Sequence, residues 1–472
     1  MSWRERVQPV RMQRVALVAP VNRLRDMLVQ VADAGSVDLD TPVTSREITQ
    51  GEARRRLQRL PALPAPRAVL SRDAPDFDAL ENTGRADLLA GEAALEERAS
   101  QAVARGAAAA TIGWAPLDAV PELTARLALI GAATVPLPAP RGQDPPSLLT
   151  QRGAAGTFAP LVETYAVVPY ADVNPSTLAG IAYVVMFGMM FADAGEGLLL
   201  VLAGVALQQG WYARLVRFRA AWPFLVGAGV ASAVFGLLYG EFFGPTGVVP
   251  VVWLAPLDHT GELLASAIGV GAVLLAVAYL VGSVNRWREG TWRLALYAPT
   301  GIAGTTLFLA LGLTVAGWYL DATWLMVLAT VGIAAGLTLS FIGLLSASGG
   351  GIAGVTQAAI ELFDLVIRLG SNLLSFARLA AFGLTHAALG SIVWDATRGL
   401  GRGGALAMAG AVVVFVVGNT VSFALEALVA AVQALRLEYY ELFSRVFTSE
   451  GRPFHPWHIP IVNEEAGPCL SG

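Results

Sequence analysis

The chain has 472 residues, 55% of them hydrophobic and 14% charged, with a formal net charge of −4. A mean hydropathy of +0.57 and a charged share well below the ~25% of soluble domains exclude an ordinary soluble enzyme and indicate a polytopic membrane protein. All 32 basic residues are Arg and the single Cys is Cys469, which excludes a Walker A phosphate loop, Schiff-base lysine chemistry and a disulfide framework.

Residues 1–165 are polar and Arg/Glu-rich, and nearly all the membrane-like sequence falls in 166–472. The opening MSWRERVQPVRMQRV lacks the apolar run of a signal peptide, so this head is expected to stay in the cytoplasm. RMQRVALVAP predicts a strand, VNRLRDMLVQVADAG an amphipathic helix ending at Gly35, and SVDLD a second strand. AAAATIGWAP, LDAVPELTARLALIGA and ATVPLP repeat the pattern, which predicts a small α/β domain of the split βαβ kind. SREITQGEARRRLQRL and FDALENTGRADLLAGEAALEERASQAVARG, separated by PALPAPRAV, read as helices that either complete the domain or form a docking surface.

Apolar segments follow at 176–212, 221–243, 262–284, 294–316, 323–345, 353–395 and 404–447. Arg214, Arg217 and Arg219 follow the first, and Arg286, Arg288 and Arg293 the third. The positive-inside rule puts both clusters in the cytoplasm. With the head also there, an even number of spans precedes Arg214. The first segment is then two short spans that turn around Ala192-Asp193-Ala194-Gly195-Glu196-Gly197. The expected fold class is mostly α, a polytopic membrane domain of eight helices with both termini cytoplasmic. The last two segments would each extend roughly 65 Å as helices, about twice the hydrocarbon core. They must tilt, bend or project.

Within 353–395, Glu361, Asp364, Arg368, Ser371, Asn372, Ser375, Arg378, Thr385 and His386 recur at helical spacing. Asn419, Ser422, Glu426, Gln433, Arg436 and Tyr440 do so in the final segment. Arg378 and Arg436 stay protonated at any biological pH, and each costs roughly 2.5–3.5 kcal/mol at the centre of a spanning helix. Such residues mark an ion path or a buried partner. A purely structural polar seam is the alternative, although Glu426 and Arg436, separated by roughly 15 Å of rise, cannot pair directly. His455 and His458 have the spacing of a metal pair, but a loop role is expected.

From about residue 159 onward the chain resembles the membrane subunit a of V-type (V/A-type) rotary ATPases, called subunit I in bacteria and archaea. The likeness rests on VVPYADVNPST, FGMMFADAGEGLLL, FGLLYGEFFGP, NRWREG, SNLLSFARLAAFGLTHAAL and LEALVAAVQALRLEYYELFSRVF, in that order, with an F-x-P-W-type ending. The opening of the head and GWAPLDAVPEL resemble the family's cytoplasmic domain. The head departs from the family in length: only about 70 residues separate its two β-α-β pieces, too few for the usual long coiled coil and distal lobe.

The resemblance implies a stator that forms ion half-channels, most simply for protons, beside a proteolipid c ring. It also implies that no catalytic site, cofactor or metal is to be expected. By position Arg378 and Arg436 match the two intramembrane arginines. Asp364, with Glu361, Ser375 and Gln433 on the same stripes, would line access paths with His386 and Glu426, Asp364 towards the cytoplasm and the latter two towards the outside. Implied partners are the c ring, peripheral stalk subunits, the central stalk connector subunit and the lipid bilayer of the cell membrane; no nucleic acid is expected. The rival readings are a stand-alone secondary ion antiporter, which would need inverted repeats that are not visible here, and a non-conducting scaffold.

Overall fold

The computed structural model describes residues 9–40, 51–60, 66–140, 143–149, 153–210, 213–290, 292–349, 351–402, 404–446 and 451–462. Cys469, the first eight residues, all of SREITQ and most of PALPAP lie outside the described residues. The described chain forms two compact units, one of 9–148 with 451–462 and one of 149–446.

In the first unit, β1 (Met12–Pro20) buries Val15, Leu17 and Ala19 between more exposed neighbours, the period-two pattern of a strand with one face on a core. Helix α1 (Leu24–Ala34) buries Met27, Leu28, Val31 and Ala32, then stops at Gly35 with φ of 53°. Glycine enters that left-handed region without a Cβ penalty. β2 (Asp38–Leu39) follows, then β3 (Leu70–Ser71), α2 (Ala86–Gln101), β4 (Val103–Arg105), β5 (Ala108–Pro116), α3 (Val120–Ala128) and β6 (Ala133–Leu137). β1 lies antiparallel between β5 and β6, and the sheet order is β2-β5-β1-β6 with β4 added on β5. Leaving β4 aside, this is the strand order of a split βαβ sheet.

The C-terminal segment belongs to this unit. β7 (Ile461–Val462) pairs in parallel with β3, Trp457 N–H donates to Val37 O at 2.8 Å, and Arg452 reaches Asp38 and Asp40 at 3.2 Å each. His458 Nδ1 lies 2.9 Å from Ala32 O. It therefore serves the packing of the tail.

The second unit is helical. Its main elements are α4 (Ser176–Met190), α5 (Ala194–Gln209), α6 (Trp222–Tyr239), α7 (Thr260–Glu289), α8 (Ile302–Tyr319), α9 (Thr323–Ala347), α10 (Gly351–Ser375), α11 (Ala377–Leu400) and α12 (Ala405–Leu437). Among the described residues five stretches are long and apolar enough to cross a membrane: Phe218–Tyr239, Thr260–Glu289, Trp292–Tyr319, Thr323–Ala347 and Ala405–Val446. α4 and α5 are shorter, 15 and 16 residues, and each rises only about 23 Å.

Small residues set the packing of these helices. α4 and α5 both lie against α6. A Cβ on Gly229 of α6 would sit 2.6 Å from Gly197 O of α5, and one on Gly197 would sit 2.6 Å from Ala233 N. In lipid, where apolar side chains gain nothing by meeting one another, such close backbone approach supplies the packing energy.

The two long C-terminal segments differ. The first is interrupted at Phe376, between α10 and α11. Its ring is fully buried and packs on Gly271 of α7, where a Cβ would collide with it. The second runs through α12 into a π-helical turn, Glu438–Phe443.

The loop 166–175 is tied to the end of α7. Asn285 Oδ1 accepts from Val173 N–H at 2.9 Å, and its Nδ2 donates to Val446 O at 2.8 Å. Arg286 forms a two-point pair with Glu289, at 2.5 and 2.7 Å. Asp172, in this loop and outside the spanning helices, is fully buried. Burial, and then the neighbouring Glu289 carboxylate, push its carboxyl from 3.8 up to about 8. Across that interval the folded chain keeps a proton that the unfolded chain has released, so stability falls as pH rises through it. Asp172→Asn should flatten the pH dependence of the thermal midpoint between about pH 4 and 8. Thermal unfolding of both proteins in detergent checks this; superimposable profiles would refute it.

Candidate functional site

Four helix ends and faces meet around one imidazole. α4 stops at Met190, and Asp193 caps α5: its Oδ1 accepts from the N–H groups of Glu196 and Phe243, both at 2.9 Å, and its Oδ2 from Gly244 N–H at 2.8 Å. A short acidic side chain at this position satisfies donors that the helix leaves open. Ala194 N–H donates to Glu241 O at 3.0 Å. α6 ends at Gly240 with φ of 76°, which turns the chain so that Glu241 enters the same cluster. Gly236 permits the approach, since a Cβ there would lie 2.5 Å from the Asp193 carbonyl carbon.

His386, on α11, is buried to 6% exposure. Its Nδ1 is hydrogen-bonded to Glu426 Oε2 of α12, and its Nε2 lies 3.8 Å from Glu241 Oε2. The Phe191 ring packs 5.2 Å from the imidazole and 5.7 Å from Phe423, closing the apolar side. Glu196 is buried nearby. Glu196 Oε2, Glu241 Oε2 and Glu426 Oε1 have no hydrogen-bond partner among the described residues. Three carboxylates with free acceptor capacity thus surround a group that carries protons on either nitrogen. Such an arrangement can pass a proton from carboxylate to carboxylate through the ring.

The His386–Glu426 contact fixes how α11 and α12 lie together. Only residues 401–404 join the two helices, so they are antiparallel neighbours. Arg378 precedes His386 by eight residues and Arg436 follows Glu426 by ten, rises of about 12 and 15 Å in the same direction. Both arginines therefore sit to one side of the cluster, at similar depth. Arg378 Nη1 is buried without a hydrogen-bond partner among the described residues. Arg436 is exposed on a stripe with Val421, Leu425, Leu428, Val432 and Tyr440. Among the described residues neither guanidinium is ion-paired with a carboxylate.

The remaining residues singled out from the sequence stand apart from the cluster. Asp364 pairs with Arg368 at 2.6 Å on α10. Glu361 accepts from Gln357 Nε2 at 2.7 Å, and Ser375 Oγ donates to Ser371 O at 3.1 Å. Gln433 lies one turn before Arg436, its Oε1 buried and without a partner among the described residues. Asp193 and Glu241 belong to the cluster without having been singled out. Their signal is an acid inside an apolar motif, FGMMFADAGEG and FGLLYGEFFGP respectively.

Residues 104–244, which contain Asp193, Glu196 and Glu241, match the V-type ATPase 116kDa subunit family. Over that stretch the chain is similar to the family. It is similar to the A-type ATP synthase subunit I of Aeropyrum pernix, 28% identical over 65% of this chain and 50% of the relative. For the Pyrococcus horikoshii protein of the same name the identity is 30%, over 64% of this chain and 45% of the relative. For that of Thermococcus kodakarensis it is 26%, over 74% and 54%. The chain spans about half the length of the curated relatives that it matches.

Proposed function

We propose that the chain is a non-catalytic, ion-translocating membrane subunit of a rotary A/V-type ATPase, and that it forms ion half-channels beside a rotating proteolipid ring. One observation carries this reading: α11 and α12 hold a buried carboxylate–imidazole relay and, to one side of it, two arginines with no carboxylate partner among the described residues. A lipid-facing guanidinium with no anion is costly. An acidic group on a partner that sweeps past would remove that cost.

In this mechanism a ring carboxyl crosses lipid only in its neutral form, because an isolated buried anion is too costly. Opposite Arg378 the fixed cation favours the ionised form, and the proton leaves into one half-channel. Beyond the arginine the carboxylate takes a proton from the other half-channel and returns to lipid. Arg378 itself never loses its proton, so the two paths stay separate. Each proton is worth about 2.3 kcal/mol per 100 mV of membrane potential. His386, Glu426, Glu241 and Glu196 make the outer path. Asp364, Glu361 and Ser375 line the cytoplasmic one, and Gln433, between Glu426 and Arg436 on α12, lies on the outer side of the arginines. Eight spans, with both termini in the cytoplasm, complete the arrangement, and stalk subunits hold the head.

Co-purification of the chain with a proteolipid ring and an ATPase head, followed by proton pumping in vesicles, tests the reading. His386→Ala and Glu426→Gln should each slow pumping about 10²-fold, the ordinary worth of a positioned acid or base. Unchanged rates in both would remove the cluster from the path.

A further inference from the structure

The buried cluster has a second capacity, one that rests on its donor atoms alone and goes beyond the ion-translocation reading. One atom each from Glu196, His386 and Glu426 lie within 4.8 Å of one another, as do atoms of Asp193, Glu241 and His386. The two triads share the imidazole but are not equivalent. Asp193 has committed both oxygens to three backbone N–H groups. Glu196, by contrast, is 2% exposed and its Oε2 has no hydrogen-bond partner among the described residues. Glu426 likewise keeps Oε1 free. The first triad therefore offers donors that nothing else in the fold consumes.

We propose that Glu196, His386 and Glu426 form a binding site for a divalent transition-metal cation, with Zn²⁺ as its representative. One imidazole nitrogen and two carboxylate oxygens are a donor set that such ions take, with three protein ligands and one position left open. Donors about 2.0–2.2 Å from a tetrahedral centre stand roughly 3.3–3.6 Å apart, so small side-chain rotations bring the three atoms into place. Two carboxylates balance the charge of a dication, which makes its burial tolerable where a single acid would not. Glu241 Oε2, 3.8 Å from His386 Nε2, faces the ring's other nitrogen, where a carboxylate orients a metal-bound imidazole, and the fourth position is left to water. An ion seated here displaces the hydrogen bond between His386 and Glu426.

The test is binding of the metal alone to the purified full chain in detergent, with Cys469→Ser as background to remove the one thiol. Wild type should hold about one equivalent of Zn²⁺ against a chromogenic chelator, and Co²⁺ in its place should give the visible bands of a four-coordinate site. Glu196→Gln keeps the shape of the side chain and removes its charge. It and His386→Ala should bind at least about tenfold more weakly, with circular dichroism and elution volume unchanged. His455→Ala/His458→Ala, which removes the other closely spaced histidines, should bind as wild type. Absence of a tight equivalent in wild type, wild-type affinity in Glu196→Gln, or loss of binding in the His455/His458 variant would each overturn the proposal.

Discussion

Replacing Arg378 with alanine should abolish coupled ion transport while the complex still assembles. Arg378 Nη1 has no hydrogen-bond partner among the described residues, so the local fold does not depend on its charge. In the proposed mechanism a ring carboxylate that ionises in front of it would. Removing one partner of a buried charge pair costs about 3–5 kcal/mol, and at 1.36 kcal/mol per decade this slows the step by about 10²–10⁴-fold. The carboxyl would then keep its proton and pass the stator without exchange. Proton pumping by the reconstituted complex, with subunit composition checked on a gel, reads the effect. Full pumping by the alanine variant would remove Arg378 from the mechanism. Loss of assembly would make its role structural.

Arg436→Ala should produce a severe but incomplete loss, about tenfold, equivalent to ~1.4 kcal/mol. Arg436 lies on the exposed stripe of α12, at a depth similar to that of Arg378 but on the neighbouring helix. It adds to the positive field at the site, and Arg378 remains when it is removed. Arg436→Lys, which keeps a cation but replaces the planar fork with a single ammonium, should recover part of the rate. Pumping measured on all three proteins at matched ATPase activity separates the outcomes. If Arg436→Ala were as inactive as Arg378→Ala, the two guanidiniums would have to act as one unit.

The sequence carries five long apolar stretches and the polar stripes plainly, because period and hydropathy are local properties. His386 and Glu426 stand out as candidates through their places on those stripes, but their contact is not legible, since forty residues and a turn separate them. Glu241 enters the site only because Gly240 adopts a positive φ and Gly236 leaves room for Asp193. No pattern in α6 announces that approach. The interruption at Phe376 contains neither glycine nor proline. What ends α10 is the seat for a phenyl ring on Gly271, more than a hundred residues away. The π-helical turn at Glu438–Phe443 is equally silent in the pattern, as is the return of the C-terminal segment to β3, where the pairing strand has two residues. The entry of Glu241, the seat of Phe376 and the pairing with β3 depend on contacts remote in sequence, which periodicity cannot encode.

Cysteine cross-linking from the exposed stripe tests the central claim most directly. Val432 is 54% exposed and stands one turn before Arg436, and Leu374 is 65% exposed just ahead of the Phe376 break. With Cys469 replaced by serine, a cysteine at either position should form disulfide bonds with a cysteine placed beside the proteolipid carboxylate, and cross-linking should stop ATP-driven rotation. If both cysteines instead react only with a probe dissolved in lipid and never with the ring, no mobile acid meets these arginines and the account is contradicted.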